Sequence, residues 1–465
     1  MADYEQVRQR HVLRMFELMP GLVERLDWSA AQLRAERDAR LRELVAHARA
    51  RSPWHRRRLA AVDVDRLDAG DLGALPVMTK DDLMDHFDEI VTDPRLTRDV
   101  VEAHLDGLTS DAYLLDELHA CASGGSSGRR GVFVYGCDAW VTVFVSYLRF
   151  SARMTQAVMG AEMPRMCMVA AGKAAHMTAA VGQTFAPPGD VMRRLPATWP
   201  LERIVAELNA LQPEVLQGYA TMIHQLAHEA LAGRLRIAPR LVGTTSEPLL
   251  PEIRAAITAA WAVPVFNGFG STEGLMGGSC RAGRGIHLSD DLFVIEPVDA
   301  RGRPIRPGER AARVYLTNLY NLTQPLIRYE LTDEMSVLDG PCPCGMALLR
   351  IDDIEGRHDD AFVYPGGPTV HPLTFRAVLG QERAIIEYQV RQTPRGADVQ
   401  LRAERALDTA RLGAALRAAL AAAGLADATV SVAVVEGLAR QASGKLRRFV
   451  PLTAAAAVSA GDGAR

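Results

Sequence analysis

Apolar positions recur at three- and four-residue steps across residues 4–27 and 29–50, marked by Val7, Val12, Leu13 and Phe16 and then by Leu22, Val23 and Leu26. That spacing predicts two amphipathic helices. Ser29 stands where the second needs an N-cap, and Ser52-Pro53-Trp54 ends it. Leu75–Leu83 reads as a turn followed by a helix capped by Thr79. Short apolar runs at Leu118–Cys121 and Val132–Tyr135 read as strands on either side of a Gly/Ser stretch. Beyond them the pattern alternates. Helices are predicted over Asp138–Met154, Leu201–Leu211, Thr221–Ala232 and Leu250–Ala260, and strands over Met166–Ala171, Val215–Tyr219, Arg240–Thr244 and Val263–Asn267. Such alternation predicts a parallel sheet covered by helices, with ligands at the carboxyl ends of its strands. Two loops fall there, at 244–248 and 267–274.

From about residue 286 the periodicity shortens. Leu292–Glu296, Ala312–Leu316, Leu326–Tyr329 and Met335–Leu338 read as short strands separated by Gly, Pro and Asp turns, which predicts a small β-barrel or sheet. Beyond the turn-rich stretch 356–367, strands at Ile385–Thr393, Asp398–Glu404 and Val430–Val435 and a helix at Ala406–Ala423 predict a small α+β unit, with a boundary near Asp359.

The chain has 465 residues, more than one compact core usually organises, so at least two domains are expected. Its net charge of -3 gives no electrostatic reason to expect nucleic acid or an anionic membrane. No apolar run approaches the roughly 18 residues of a membrane-spanning helix. The N-terminal residues lack the basic flank and apolar core of a secretory signal. Six cysteines in so long a chain do not make a disulfide scaffold, so a reduced, cytoplasmic protein is expected.

Candidate chemistry begins in the stretch Ala122-Ser123-Gly124-Gly125-Ser126-Ser127-Gly128-Arg129-Arg130-Gly131. Its glycines free the backbone to turn N–H groups inward, its hydroxyls add donors and its arginines add positive charge. That is the chemistry of a phosphate cradle. It is not a Walker loop: no Gly-Lys-Ser/Thr closes it, and it joins strand to strand where a Walker loop feeds a helix. Composition alone favours a flexible surface loop.

Five motifs in order resemble the adenylate-forming superfamily of acyl-CoA synthetases, and more narrowly its phenylacetate-CoA ligase-like branch. They are Ser123-Gly-Gly-Ser-Ser-Gly128, Asn267-Gly-Phe-Gly-Ser-Thr-Glu273, Arg328-Tyr-Glu-Leu-Thr-Asp333, Gly356-Arg-His-Asp-Asp360 and Ser443-Gly-Lys-Leu-Arg447. The resemblance spans nearly the whole chain. It implies an α/β fold with a large N-terminal adenylation domain, residues 1–357, made of helix-covered parallel sheets plus a small β-barrel. A small mobile α+β domain, residues 358–465, would follow. It also implies a two-step reaction, in which ATP activates a carboxylate as an acyl-adenylate and an acceptor then takes the acyl group.

The resemblance assigns roles residue by residue. Ser123, Gly125, Ser126, Ser127 and Gly128 would hold the β- and γ-phosphates. Arg129 stands where the family usually has lysine followed by proline. Phe269, beside Asn267, Gly268 and Gly270, would stack on adenine, and Glu247 would border it. Thr272 would contact phosphate and Glu273 would help hold magnesium. Asp333 would accept the ribose hydroxyls, Arg357 would face the ribose and α-phosphate, and Asp359 would be the hinge. Lys445 would reach from the small domain to the α-phosphate. His176 falls where the family builds its acyl pocket. Arg440, Arg447 and Arg448 read as a solvated basic face with a lesser claim to coenzyme A.

The expected function is therefore ATP- and magnesium-dependent activation of an aromatic or other small carboxylic acid and its transfer to coenzyme A. The alternative acceptors are a carrier-protein thiol or an amine. A non-catalytic nucleotide-binding protein is disfavoured because Lys445, Asp333, Arg357 and Glu273 are all present. Neither nucleic acid nor membrane is expected as a partner, and a homodimer remains compatible with the sequence. Finally, Cys280, His287 and the Cys342-Pro343-Cys344-Gly345 knuckle supply three thiolates and an imidazole, the donor set of a closed structural zinc site. Comparable Cys/His sites occur in the resembled branch. The plain alternative is a set of ordinary buried cysteines and a strand histidine.

Overall fold

In the computed structural model the helical pattern of the N-terminus closes as α1 (Tyr4–Glu24) and α2 (Ala30–Arg51), and Ser29 caps α2 in a reciprocal capping box with Gln32. The structure describes residues 3–452 except 124–129, 171–175, 188–190, 281, 283–284, 332, 353–355, 358–359, 365–366, 383 and 442, and at Gly356 and Arg357 it describes the backbone alone. Gly125, Ser126, Ser127, Gly128 and Asp359 therefore lie outside the described residues.

Ser52 caps a further short helix, α3 (Pro53–Arg58), and Thr79 caps α4 (Lys80–Asp85) with Asp82 returning the bond. Then come α5 (Phe87–Ile90) and α6 (Arg98–Gly107). The Gly/Ser stretch joins β1 (His119–Ala122) to β2 (Val132–Tyr135) as an antiparallel hairpin. The long helix α7 (Cys137–Met159) packs on the central sheet and on α1.

The alternating part runs β3 (Met166–Ala170), α8 (Met177–Thr184), β4 (Met192–Pro196), α9 (Leu201–Leu211), β5 (Val215–Tyr219), α10 (Ala220–Leu231), β6 (Leu241–Thr245), α11 (Pro251–Trp261) and β7 (Val265–Gly270). Sequence periodicity missed α8 and β4. The exposed Arg193 and the polar or small residues of α8 give neither element a clean apolar face. The chain continues through β8 (Met276–Ser279), β9 (Ile286–Leu288), β10 (Phe293–Val298), β11 (Arg313–Asn318), β12 (Tyr329–Leu331), β13 (Asp333–Glu334), β14 (Arg350–Ile351) and β15 (Gly356–Arg357). The central sheet has the order β14-β9-β8-β7-β6-β5-β3-β4, parallel from β4 to β7 and antiparallel beyond. β10, β11 and β12 form a separate antiparallel sheet, and β13 pairs with β15.

Two predicted strands differ in the structure. The strand expected at 326–329 becomes β12, because Arg328 takes a left-handed φ of 50° and turns the chain just before Tyr329, and the one expected at 335–338 forms only isolated bridges, Ser336 with Arg310 and Val337 with Ile351. The Arg328 guanidinium is pinned by Glu296 at 2.9 Å and the Leu75 carbonyl at 2.6 Å. The C-terminal unit comprises β16 (Phe362–Val363), β17 (Thr369–Val370), α12 (Pro372–Leu379), β18 (Ile385–Thr393), β19 (Gly396–Ala403), α13 (Thr409–Ala422), β20 (Thr429–Val434) and β21 (Phe449–Val450), and residues 362–449 supply a hydrophobic core of their own. Among the described residues, no helix is long and apolar enough to cross a membrane.

One ion pair fixes α7 within the larger core. Arg149 and Asp291 have fully buried side chains, and Arg149 Nη1 donates to Asp291 Oδ2 at 3.0 Å and to the Leu22 carbonyl at 2.9 Å. Truncating one partner strands the other charge in the core. Asp291→Ala should therefore lower stability by about 3–5 kcal/mol, read from the midpoint of urea unfolding. A loss below about 1 kcal/mol would show that the pair does not hold this core.

Candidate active site

The carboxyl ends of the parallel strands open into a cleft of about 1110 Å³ that also takes in residues of the C-terminal unit. The β7 end and the loop after it supply Asn267, Gly268, Phe269, Gly270, Thr272 and Glu273 to its lining. Asn267 is buried and receives a hydrogen bond from Thr244 Oγ1 at 3.1 Å. The following turn is held from below. Tyr135 donates its hydroxyl to the Thr272 carbonyl at 2.6 Å, Asn318 donates to the Glu273 carbonyl at 3.0 Å, and Tyr320 donates to the Gly274 carbonyl at 2.9 Å. The backbone of this turn is fixed by three side chains from neighbouring elements.

Asp333 lines the same cleft, and across the β13–β15 ladder it sits directly opposite Arg357. At the hairpin, Ser123 Oγ accepts the Gly131 N–H at 2.8 Å and the Ser123 N–H returns to the Gly131 carbonyl at 2.9 Å, so Ser123 closes the base of the Gly/Ser loop. His176 is the N-cap residue of α8 and lines the cleft beside Met177.

Lys445 comes from the C-terminal unit and enters the cleft, with its ammonium 5.4 Å from the centroid of the Tyr219 ring. Its neighbour Gly444 has a φ of 84°, and a Cβ there would lie 3.0 Å from Ala197 Cβ, so a residue without a side chain is needed at this seam. Glu247 does not present a free carboxylate to the cleft. Its Oε2 accepts the Thr221 N–H at 2.8 Å and its Oε1 accepts the Leu446 N–H at 3.1 Å. One carboxylate thus ties the start of α10 to the residue after Lys445. Around it, Arg440 donates to the Thr221 hydroxyl at 3.3 Å and the Gly444 carbonyl at 3.1 Å and pairs with Glu387, which Gln225 also reaches at 3.0 Å. Burial raises the Glu387 carboxyl, while Arg440 and then Arg402 pull it back down.

No family model matches the chain. It is 27% identical over 366 residues to phenylacetate-coenzyme A ligase of Thermus thermophilus, a match covering 75% of each protein. Its structure superposes on 2-hydroxyisobutyryl-CoA ligase in the postadenylation state with a TM-score of 0.69, covering 94% of this chain and 93% of the other at 19% identity. The chain has the adenylate-forming fold and is a homologue of phenylacetate-CoA ligase. Against the same 2-hydroxyisobutyryl-CoA ligase in its thioesterification state the TM-score is 0.56, over 92% of this chain and 91% of the other at 20% identity. An anthranilate CoA ligase in complex with anthranoyl-AMP aligns at 0.53, covering 74% of this chain and 68% of the other at 18% identity.

Within this adenylate-forming frame, several cleft residues carry no motif. Lys80, the first residue of α4, lines the cleft beside Ser123. Tyr147 of α7, which packs against Gly268, and Gln217 and Arg194 of the sheet line it too. Burial pushes the Tyr147 hydroxyl up to about 12, against the effect of its hydrogen bond to Thr245. Thr79 capping marks where Lys80 sits, but nothing local marks the other three. Two of the basic residues near the C-terminus make contacts within the chain, and Arg447 and Arg448 line the cleft. Arg440 is spent as described, and Arg448 lies over the Tyr388 ring, 3.8 Å from Glu252.

A second constellation lies away from the cleft. Sγ of Cys280, Cys342 and Cys344 and a ring nitrogen of His287 all lie within 4.8 Å of one another. Cys280 Sγ is 3.6 Å from Cys342 Sγ, and Cys344 Sγ is 3.4 Å from His287 Nε2. His287 Nδ1 faces the Leu348 carbonyl at 3.2 Å, which fixes the proton on Nδ1 and turns the Nε2 lone pair toward the thiols.

The Glu247 clasp yields a direct test. Glu247→Ala should leave the Thr221 and Leu446 N–H groups without their carboxylate and speed their hydrogen exchange by about 10- to 100-fold, the worth of a hydrogen bond to a charged group. Unchanged exchange at Leu446 would show that Glu247 does not hold the Lys445 loop.

Proposed function

We propose that the protein is an ATP-dependent, AMP-forming acid:coenzyme A ligase acting on an aromatic or other small carboxylic acid. The observation that carries this reading is Lys445 held in the cleft beside Tyr219, with Phe269, Glu273 and Asp333 on the same cleft. The homology to phenylacetate-CoA ligase supports it. In the first step an oxygen of the acid attacks the α-phosphorus of ATP, the bond to the bridging oxygen breaks and pyrophosphate leaves. In the second a thiol attacks the acyl carbonyl and AMP leaves.

On this reading Lys445 stabilises charge developing on the α-phosphate. Asp333, with Arg357 opposite, serves the ribose, and Phe269 between Gly268 and Gly270 serves adenine. The Ser123–Gly128 loop, Thr272 and Lys80 serve the phosphates. Glu273 would hold magnesium, an ion suited to carboxylate oxygen and phosphate, and the fixed turn beneath it fits that role. When bound, magnesium neutralises phosphate charge. His176 belongs to the acid pocket. The boundary near residue 357, with Asp359 as hinge, belongs to the same proposal, and the separate core of residues 362–449 supports it.

The decisive experiment measures pyrophosphate and AMP release over a panel of aryl and aliphatic acids, with and without coenzyme A. Thioester formation supports the reading. AMP release that requires an amine or a carrier protein assigns the other acceptor. Lys445→Ala should lower adenylate formation on the order of 100-fold or more while thioester formation from a supplied adenylate persists. Equal loss in both half-reactions would reject the role.

The Cys280/His287/Cys342/Cys344 cluster is proposed as a structural zinc site. Tetrahedral zinc places its sulfur and nitrogen donors roughly 3.5–3.8 Å apart, and the measured separations of 3.6 and 3.4 Å fit. Four protein donors leave no open position. Reduced thiols support a cytoplasmic setting. Protein purified without chelator or affinity tag should contain about one equivalent of zinc, and Cys344→Ser should release it and lower thermal stability. Less than about a tenth of an equivalent, with no destabilisation by chelator, would reject the site.

A further inference from the structure

The remote end of the acid pocket has a polar floor. Arg194 on β4, Met168 on β3 and Gln217 on β5 stand in one register line across the parallel sheet. Side chains in such a line project to the same face, and all three line the cleft. A guanidinium and a carboxamide therefore flank a thioether in a cleft that Met177, Val181 and Phe144 also line.

Arg194 is held in one place. Its Nη2 donates to the Thr178 carbonyl at 3.0 Å and contacts Met168 Sδ at 3.4 Å. A Cβ on Gly182 would lie 1.3 Å from Arg194 Nη1, so the guanidinium rests against a bare stretch of α8 that only glycine provides. Yet among the described residues no carboxylate pairs with Arg194, and the amide of the buried Gln217 has no hydrogen-bond partner. Burial accordingly makes the guanidinium easier to deprotonate than usual. A half-buried cation without a counter-charge, beside an amide that faces the cleft, favours a ligand that brings acceptors for both.

Position says what that is. β4 lies two strands beyond β5, whose end carries Tyr219 and faces Lys445. It lies four strands beyond β7, which carries Phe269. At about 4.8 Å per strand these separations are roughly 10 and 19 Å, so Arg194 stands across the sheet from Phe269 and from the Lys445 site, while Gln217 lies on β5 itself, two residues before Tyr219.

We infer that the acid this enzyme activates carries a second, anionic oxygen group on the end remote from its reacting carboxylate, and that Arg194 and Gln217 select it. The inference rests on the ligase reading and narrows its substrate class from small acids in general to those with a distal acceptor.

The test uses matched acids that share a skeleton and differ only in a distal methyl, hydroxyl or carboxylate, such as 4-methyl-, 4-hydroxy- and 4-carboxyphenylacetate and the pair heptanoate and pimelate. Pyrophosphate release gives kcat/KM for each with the full-length protein. The wild type should favour the distal carboxylate by about tenfold or more over the methyl analogue, as sites built to bond a polar group do. Arg194→Met should level or invert that ratio, and Arg194→Lys should restore part of it. Gly182→Ala, which keeps the arginine but unseats it, should reproduce the change, and it covers the case in which Arg194→Met fails to fold. A wild type that prefers the methyl acids overturns the inference while leaving the ligase reading intact. So does an Arg194→Met variant that lowers all members by one factor, which would mark Arg194 as wall or as a partner of the reacting carboxylate. Release with no acid of any kind overturns the ligase reading itself.

Discussion

One carboxylate ties the Lys445 loop of the C-terminal unit to the parallel sheet. Glu247 accepts one backbone N–H from the first turn of α10 and another from Leu446. The first anchors the carboxylate to the parallel sheet through the β5–α10 junction. The second fixes the residue beside Lys445. A lysine side chain is long and entropically expensive to localise, so the backbone under it has to be still before its ammonium can be placed. Gly444, pressed against Ala197, and the turn closed by the Gln441 and Gly444 backbone bonds make that backbone rigid. Removing Glu247 from this arrangement would leave two desolvated donors at the seam between the units, and so both would favour separation.

The interface around that clasp is polar where a domain core is apolar. Residues 362–449 bury their own cluster, including Phe362, Phe375, Leu401 and Phe449, without help from the larger unit. Across the seam stand Gln225, Glu387, Arg402 and Arg440, with His228 against Glu404. Buried ionic networks of this kind contribute little net stability, because desolvation offsets attraction, but they penalise misalignment heavily. The seam therefore specifies one docking geometry without gluing the units together. Interfaces between domains that move relative to each other have this composition.

Sequence periodicity read most of the N-terminal helices and the alternating core because each element there has one buried face. Leu201–Leu211 and Val215–Tyr219 came out with the predicted bounds. It failed at β4 and α8, and the two failures share a cause. β4 is an edge strand carrying Arg193 and Arg194, and α8 carries threonines, a glycine and a glutamine. Both are shaped by the cleft they line, and a wall facing a ligand has no reason to be apolar in the pattern of a core. At the site, Asn267–Glu273, Asp333 and Lys445 were legible because they sit in motifs. The bond from Leu446 to Glu247 was not legible, since only the folded chain brings the two together across 199 residues. The Cys280/His287 and Cys342/Cys344 pairs were legible from donor type and spacing, and the fold supplies their meeting by pairing β9 with β14.

These observations divide the cleft by chemistry. The β7 end is built from backbone held by Tyr135, Asn318 and Tyr320, so its geometry does not depend on which acid is present. The β3–β4–β5 end is built from side chains, among them Arg194, which no described carboxylate pairs, and Gln217. A fixed end suits a constant ligand such as a nucleotide, whose every molecule presents the same groups. An end lined by exchangeable side chains suits the variable partner, because one substitution there changes selection without disturbing the backbone on which the reaction geometry rests. Lys445 enters between the two ends, over Tyr219. On the proposed ligase reading it would reach the place where the constant and the variable ligands meet, and a residue brought in on a unit with its own core could leave that place free once they have reacted.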